Sequence, residues 1–241
     1  MRGMAMLMLL PLAACGNASG DGGEASGIAG TGSGNARSYQ AAGFTGVDLA
    51  GSDDVDVRIG STFVVRAEGA PEDLDRLRIR VDGDTLKVDR RSRTGMNWGG
   101  HKVVIHVTMP RLAEASISGS GSLRADRVEG EEFEGDLAGS GDLVLGAMQV
   151  DKASFDIAGS GSVKASGDAG ALSIDIAGAG DVEAPELRAR SADVSIAGSG
   201  NVRAAVAGPA KISIMGSGDV NLGPQARCQT SKMGSGSVRC G

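Results

Sequence analysis

Ser154-Phe155-Asp156-Ile157-Ala158-Gly159-Ser160-Gly161-Ser162-Val163 alternates apolar and polar side chains on both sides of a Gly-Ser-Gly centre. The same centre stands at Gly119-Ser120-Gly121 and Gly139-Ser140-Gly141. It returns as Gly178-Ala179-Gly180, Gly198-Ser199-Gly200, Gly216-Ser217-Gly218 and Gly234-Ser235-Gly236. Successive first glycines lie 20, 20, 19, 20, 18 and 18 residues apart. A period of that length marks one small unit stacked on copies of itself.

Aligned on the first glycine, the copies show columns at even offsets. Ile117, Leu137, Ile157, Ile176, Ile196 and Ile214 stand two before it, and Phe155, Ile174, Val194 and Ile212 four before it. Leu123, Leu143, Val163, Val182, Val202, Val220 and Val238 stand four after it. Polar residues fill the odd offsets, so each copy is a strand with one buried face. The glycines share the inward phase, where a corner leaves no room for a Cβ or needs positive φ. A second corner per copy is expected at Gly146, at Gly167 and Gly170, at Pro185 and at Gly208-Pro209. One such coil cannot bury enough apolar surface to offset ordering its backbone, so it must stack on its neighbours. The pattern predicts an all-β chain: a parallel β-helix, or β-solenoid, with 18–20 residues per coil and a thin aliphatic interior.

Cys228 and Cys240 lie six residues before and six after Gly234. Both offsets are even, so both thiols point inward in the last coil, and a Cys228–Cys240 disulfide is expected to close that end. Lys232 takes the place of the usual aliphatic residue there.

The preceding segment is β-rich but less regular, and it is expected to cap the solenoid. Gly51-Ser52-Asp53 resembles a degenerate corner, and Pro71 to Leu77 reads as a helical turn with acids at its start. Ile79 and Val81 face Leu86 and Val88 across an Asp82-Gly83 turn. A polar loop from Arg90 to Gly100 carries Trp98, and Val103, Ile105 and Val107 form a strand ending at Pro110.

The N-terminus carries an address. Met4 to Leu12 is apolar and too short to span a bilayer, and Leu12-Ala13-Ala14-Cys15 resembles the lipobox of a bacterial lipoprotein signal peptide. The resemblance implies removal of residues 1–14 and a diacylglyceryl thioether on Cys15. Gly16 after the cysteine favours the outer membrane. Residues 15–38 are rich in Gly, Ser and Ala and read as a flexible tether. Residues 39–241 remain as a single solenoid domain, with irregular first coils over 39–110 and regular ones over 111–241.

Phe44-Thr45-Gly46-Val47, then Val103-Val104-Ile105-His106-Val107-Thr108-Met109-Pro110-Arg111-Leu112, then Ser118-Gly119-Ser120-Gly121 resemble a bacterial domain family of unknown function. It is known as the head GIN domain of autotransporter adhesins, and the resemblance covers roughly residues 39–225. It implies an exported β-helical domain, often on lipoproteins, and it brings no catalytic residues.

Forty glycines, four Phe, one Trp and one Tyr are unusual for a globular enzyme. A net charge of −6 argues against a nucleic-acid partner, which needs a basic face. His101 and His106 are five apart on one expected strand and point to opposite faces, so they cannot share a metal. The Gly-x-Gly pieces lack the strand-to-helix context of a nucleotide loop. No cofactor is implied.

What remains is a column of acids. Asp136, Asp156 and Asp175 stand three before successive corners, about 4.8 Å apart if in register. Stacked carboxylates repel unless solvated, protonated or bridged by a hard cation such as Ca²⁺. Asp142, Asp181 and Asp219 stand three after, interrupted by Ser162 and Asn201. The leading expectation is a non-enzymatic, membrane-anchored envelope lipoprotein. Its β face would meet a glycan, an envelope protein or a surface. The alternatives are a carbohydrate-active β-helix enzyme and a purely structural or envelope-stress component.

Overall fold

The structure, a computed structural model, describes residues 27–91 and 100–241. The expected signal peptide, Cys15, the first part of the tether and Trp98 lie outside the described residues.

The N-terminal region contains β1 (Ala36–Tyr39), β2 (Gly46–Gly51), β3 (Asp54–Ile59), β4 (Val64–Glu68), a one-turn helix α1 (Pro71–Leu74), β5 (Leu77–Asp82), β6 (Thr85–Arg90) and β7 (Val104–Met109). Next come β8 (Glu114–Gly119), β9 (Ser122–Gly139), β10 (Asp142–Gly159), β11 (Ser162–Gly178) and β12 (Asp181–Gly198). The chain closes with β13 (Asn201–Val206), β14 (Pro209–Gly216), β15 (Val220–Asn221), β16 (Arg227–Gly234) and β17 (Val238–Arg239). The long strands β9 to β12 each wrap a coil and pair in parallel, so Ile157 lies between Leu137 and Ile176. The β-solenoid expected from the repeat is the fold.

Each full coil has three sides, where the sequence suggested two strands and two corners. In β10, Leu143 and Leu145 are buried, then Met148 and Val150, then Ala153, Phe155 and Ile157. The steps from Leu145 to Met148 and from Val150 to Ala153 break the period of two, so the chain turns on an extra residue at each. The 19-residue coil of β11 keeps only the second break, between Ala169 and Leu172. The 18-residue coil of β13 and β14 has neither, and its burial alternates without interruption from Val202 to Ile214. Gly146 and Pro185 therefore belong to one corner, and Gly170 and Gly208-Pro209 to another.

The third corner is Gly-Ser-Gly, where the phase is unbroken and glycine itself makes the turn. Gly198 has φ of 142°, and a Cβ there would run into the carbonyl oxygen of Gly178. That oxygen accepts the Ser199 amide at 2.8 Å, so close stacking and the hydrogen bond are one requirement. Register shifts within paired strands fall at the first corner, at Leu145/Ala147, Lys164/Ser166 and Ala184/Arg188. The side entering Gly-Ser-Gly stays in register from β8 through β9, β10, β11, β12 and β14 to β16.

The interior is aliphatic, with the Phe133 and Phe155 rings 6.2 Å apart. Gly135 makes room for both, since a Cβ there would meet Leu143, Phe155 and Phe133.

At the N-terminal end, Gly51-Ser52-Asp53 is the first corner, as expected: Ser120 donates to the Gly51 carbonyl at 2.9 Å. Below β2 and β3 run β6 and β7, in parallel. β5 and β6 form the expected hairpin, with Ile79 opposite Val88 and Val81 opposite Leu86. β4 pairs antiparallel with β7, and β1 with β4. The ordered fold thus begins before residue 39: Ile28 donates to the Ile79 carbonyl at 2.7 Å. Two buried carboxylates lock this cap. Arg90 donates to Asp53 from Nε at 2.7 Å and Nη2 at 2.5 Å, and to Asp73 at 2.8 Å. The Val103 amide donates to Asp53 and the His101 amide to Asp73, both at 2.9 Å.

At the other end Cys228 and Cys240 are bonded, with Cα atoms 6.2 Å apart. Lys232, in register with Ile214, donates to the Gly236 carbonyl at 2.6 Å.

Candidate functional site

Two acidic columns flank the Gly-Ser-Gly corner, and they are built on opposite principles. Three residues after the first glycine the stack reads Asp54, Ser122, Asp142, Ser162, Asp181, Asn201, Asp219, Ser237. Carboxylate and donor alternate from coil to coil. Ser162 donates its hydroxyl to Asp142 at 2.5 Å. Asn201 donates its amide N–H and Nδ2 to Asp181 at 2.9 and 2.8 Å. Ser237 donates its amide and hydroxyl to Asp219 at 2.8 and 2.7 Å, which holds that carboxyl below its ordinary value. Ser162 and Asn201, which looked like interruptions, are the partners that let the acids stack.

Three residues before the glycine the stack reads Asp48, Ser116, Asp136, Asp156, Asp175, Ser195, Ser213, Ser231. Here three carboxylates follow one another with no donor between them, Asp136 in register with Asp156 and Asp156 with Asp175. Partial burial, and then the charges of Glu134, Asp156 and Glu114, push the Asp136 carboxyl upward. Burial and then Asp175 do the same to Asp156. Glu114 is raised by burial and then by Glu134.

Carboxylate oxygens of Glu134, Asp136 and Asp156 lie within 4.8 Å of one another. Asp175 continues the column but is not in that group. Glu134 and Glu114 were missed from the sequence, although Glu134 lies two residues before Asp136 and so shares its outward phase. Hard oxygen donors at this spacing suit a divalent cation, a cationic group or sugar hydroxyls.

Beside the acids runs a column of short side chains, Ala138, Ala158, Ala177 and Ala197, continued by Met215 and Met233. The two methionines are 64 and 71% exposed. Acids and alanines together line a shallow depression of about 410 Å³. This side keeps one register from coil to coil.

The histidines form no site. His101 precedes β7 instead of lying on it, and its Nδ1 is 3.9 Å from Asp73. His106 lies on β7 between Asp56 at 3.7 Å and Glu68 at 4.0 Å.

Solved structures share this architecture. A "putative adhesin" from Bacteroides fragilis superposes with a TM-score of 0.76 at 21% identity, over 85% of this chain and 95% of its own. A "putative lipid binding protein" from Parabacteroides distasonis gives 0.67 at 25% identity, over 88 and 98%. A "putative adhesin" from Parabacteroides merdae gives 0.64 at 18% identity, over 90 and 99%. No curated protein matches the sequence. The family profile described as "Putative auto-transporter adhesin, head GIN domain" matches residues 43–225, and the chain belongs to that family.

Proposed function

We propose that this chain is a non-catalytic, lipid-anchored module of the bacterial envelope that binds a partner through the acidic side of its solenoid. The observation that carries the reading is the uninterrupted Asp136–Asp156–Asp175 column, extended by Glu134 and Glu114. Repulsion within it is a standing cost that the neighbouring column avoids by alternating with Ser and Asn. A partner bringing cations, cationic groups or a cation-bridged glycan removes that cost on binding. The adhesin names of structurally similar proteins support the same reading.

Anchoring would come through an acylated Cys15, with the tether holding the solenoid off an outer membrane. Loss of palmitate labelling in Cys15→Ser is the expected result, and persistent label would refute the anchor. For the binding face, a glycan array and a crosslinking pull-down with the full chain, each with and without Ca²⁺, should show capture that Asp136→Asn/Asp156→Asn abolishes. Capture unaffected by that pair would move the site elsewhere. Turnover of a polysaccharide, abolished by Asp156→Asn, would make the protein an enzyme instead.

A further inference from the structure

A second depression lies at the corner through which the chain enters the acidic side, and it extends onto Ser173, Asp193 and Lys211, which continue the column of Glu134. Its size follows from side-chain length in one column. The corner residues read Lys152, Ala171, Ser191, Pro209 and Arg227 from coil to coil, long at both ends and short between. Three short residues between two long ones leave a groove of about 720 Å³, within the range of ~300–1,000 Å³ that holds a small ligand. Five coils at ~4.8 Å spacing make it roughly 19 Å long.

Its chemistry differs between the two ends. The floor is apolar, from Leu172, Ala192 and Ala210 together with Ala171 and Pro209. At the far end the Lys152 ammonium is already engaged by Glu132 at 2.6 Å. At the C-terminal end, Lys211 and Arg227 line the groove, and their side chains have no hydrogen-bond or ion-pair partner among the described residues. Asp193 is the carboxylate of the lining. It stands in register beside Lys211, which leaves the Arg227 guanidinium unmatched in a chain of net charge −6.

We infer that this groove binds a long-chain fatty acid, its carboxylate between Lys211 and Arg227 and its chain laid over Pro209, Ser191 and Ala171 toward Lys152. An arginine fork suits a carboxylate. The stems of Lys211 and Arg227 add apolar wall around the first methylenes. A rigid, elongated, aliphatic floor suits an extended chain and offers no aromatic platform for a sugar.

The test is calorimetric titration of palmitate, below its micelle concentration, into the full chain carrying Cys15→Ser so that it has no acyl group of its own. Dodecyltrimethylammonium serves as the charge-reversed control. Saturable binding of one palmitate is expected, weakened at least tenfold by Lys211→Glu/Arg227→Glu and blocked by Ser191→Trp. The thermal midpoint of each variant reports folding, and the exposed charge pair remains decisive if the tryptophan variant fails to fold. Absence of palmitate binding, equal binding of the cationic amphiphile, or binding unchanged in the charge-reversed pair would each overturn the proposal. Capture by phosphatidylglycerol vesicles without palmitate binding would also overturn it, assigning these cations to a membrane surface.

Discussion

Ser237 donates both its backbone amide and its hydroxyl to the Asp219 carboxylate of the coil before it, at 2.8 and 2.7 Å. Two donors on one carboxylate favour its ionised form, and the Asp219 carboxyl is held low chiefly by them. A lowered folded value means the contribution is present above the ordinary carboxylate range and is lost as the pH falls through the lowered value. Asp219→Ala should therefore depress the thermal midpoint modestly at pH 7, and the difference should close in acid. Parallel midpoint curves for the two proteins from pH 7 to pH 2 would refute the ladder.

The opposite sign is expected at Asp156. Its carboxyl is raised by burial and then by Asp175, so the ionised form is disfavoured in the folded protein. That cost is present at neutral pH, is relieved as the pH falls through the raised value, and is absent below the ordinary carboxylate range of about pH 4. Asp156→Asn should raise the midpoint at pH 7 and change it little at pH 3. If divalent cations bridge the column, Ca²⁺ should raise the parent midpoint and not that of Asp136→Asn/Asp156→Asn.

Glycine is not equally necessary everywhere in this chain. Gly198 combines positive φ with the Gly178 carbonyl oxygen in the space of any Cβ, whereas Gly83, at φ of 62°, has nothing near its missing Cβ. Gly83→Ala should cost about 1 kcal/mol, for backbone conformation alone. Gly198→Ala should cost more than about 3 kcal/mol, because strain adds to a backbone clash that no rotamer relieves. Urea unfolding of the two variants separates the cases, and equal losses would count against glycine as the corner device.

That contrast also shows how far the fold could be read in the residues alone. The solenoid, the inward columns, the Gly51 corner and the Cys228–Cys240 pair follow from a period of two laid on a period near 20, because inward and outward phases are local properties. The three-sided section was less legible: Gly146 and Pro185 mark one corner, Gly170 and Gly208 another, and only the buried phase of Met148 and Val150 separates them. The acidic column was visible by register, while Glu134 required seeing that its outward phase continues past Asp136. The fatty-acid groove was not visible. It depends on side-chain length compared across five coils at a corner that no Gly-Ser-Gly motif marks.

The cap depends on Arg90, a single cation serving two carboxylates that are 1 and 2% exposed. Removing it leaves Asp53 and Asp73 buried without a counter-charge, although each keeps one backbone donor. Arg90→Ala should therefore cost about 3–5 kcal/mol. Arg90→Lys should recover only part, because an ammonium cannot reproduce the fork that holds Asp53 while also reaching Asp73. Hydrogen exchange should show the loss at β3 and β7 first, and full protection there in Arg90→Ala would refute the assignment.

At the opposite end no further coil covers β16 among the described residues, and the disulfide and Lys232 lie there. Linking Cys228 to Cys240 closes a loop of 12 residues, and a bridge over such a loop contributes roughly 3 kcal/mol. In a solenoid each coil is held mainly by its neighbours, so the effect should be local. Reduction should open Arg227–Arg239 to hydrogen exchange while β10 and β11 keep their protection. Lys232 occupies the aliphatic column at the exposed edge, where a charge discourages a second chain from stacking on the unpaired strand. Lys232→Ile should accordingly leave the monomer folded and promote end-to-end association, seen as a concentration-dependent shift in sedimentation. An unshifted monomer at high concentration would mean that the polar groups of Gln229, Thr230 and Ser231 already suffice to keep the end closed.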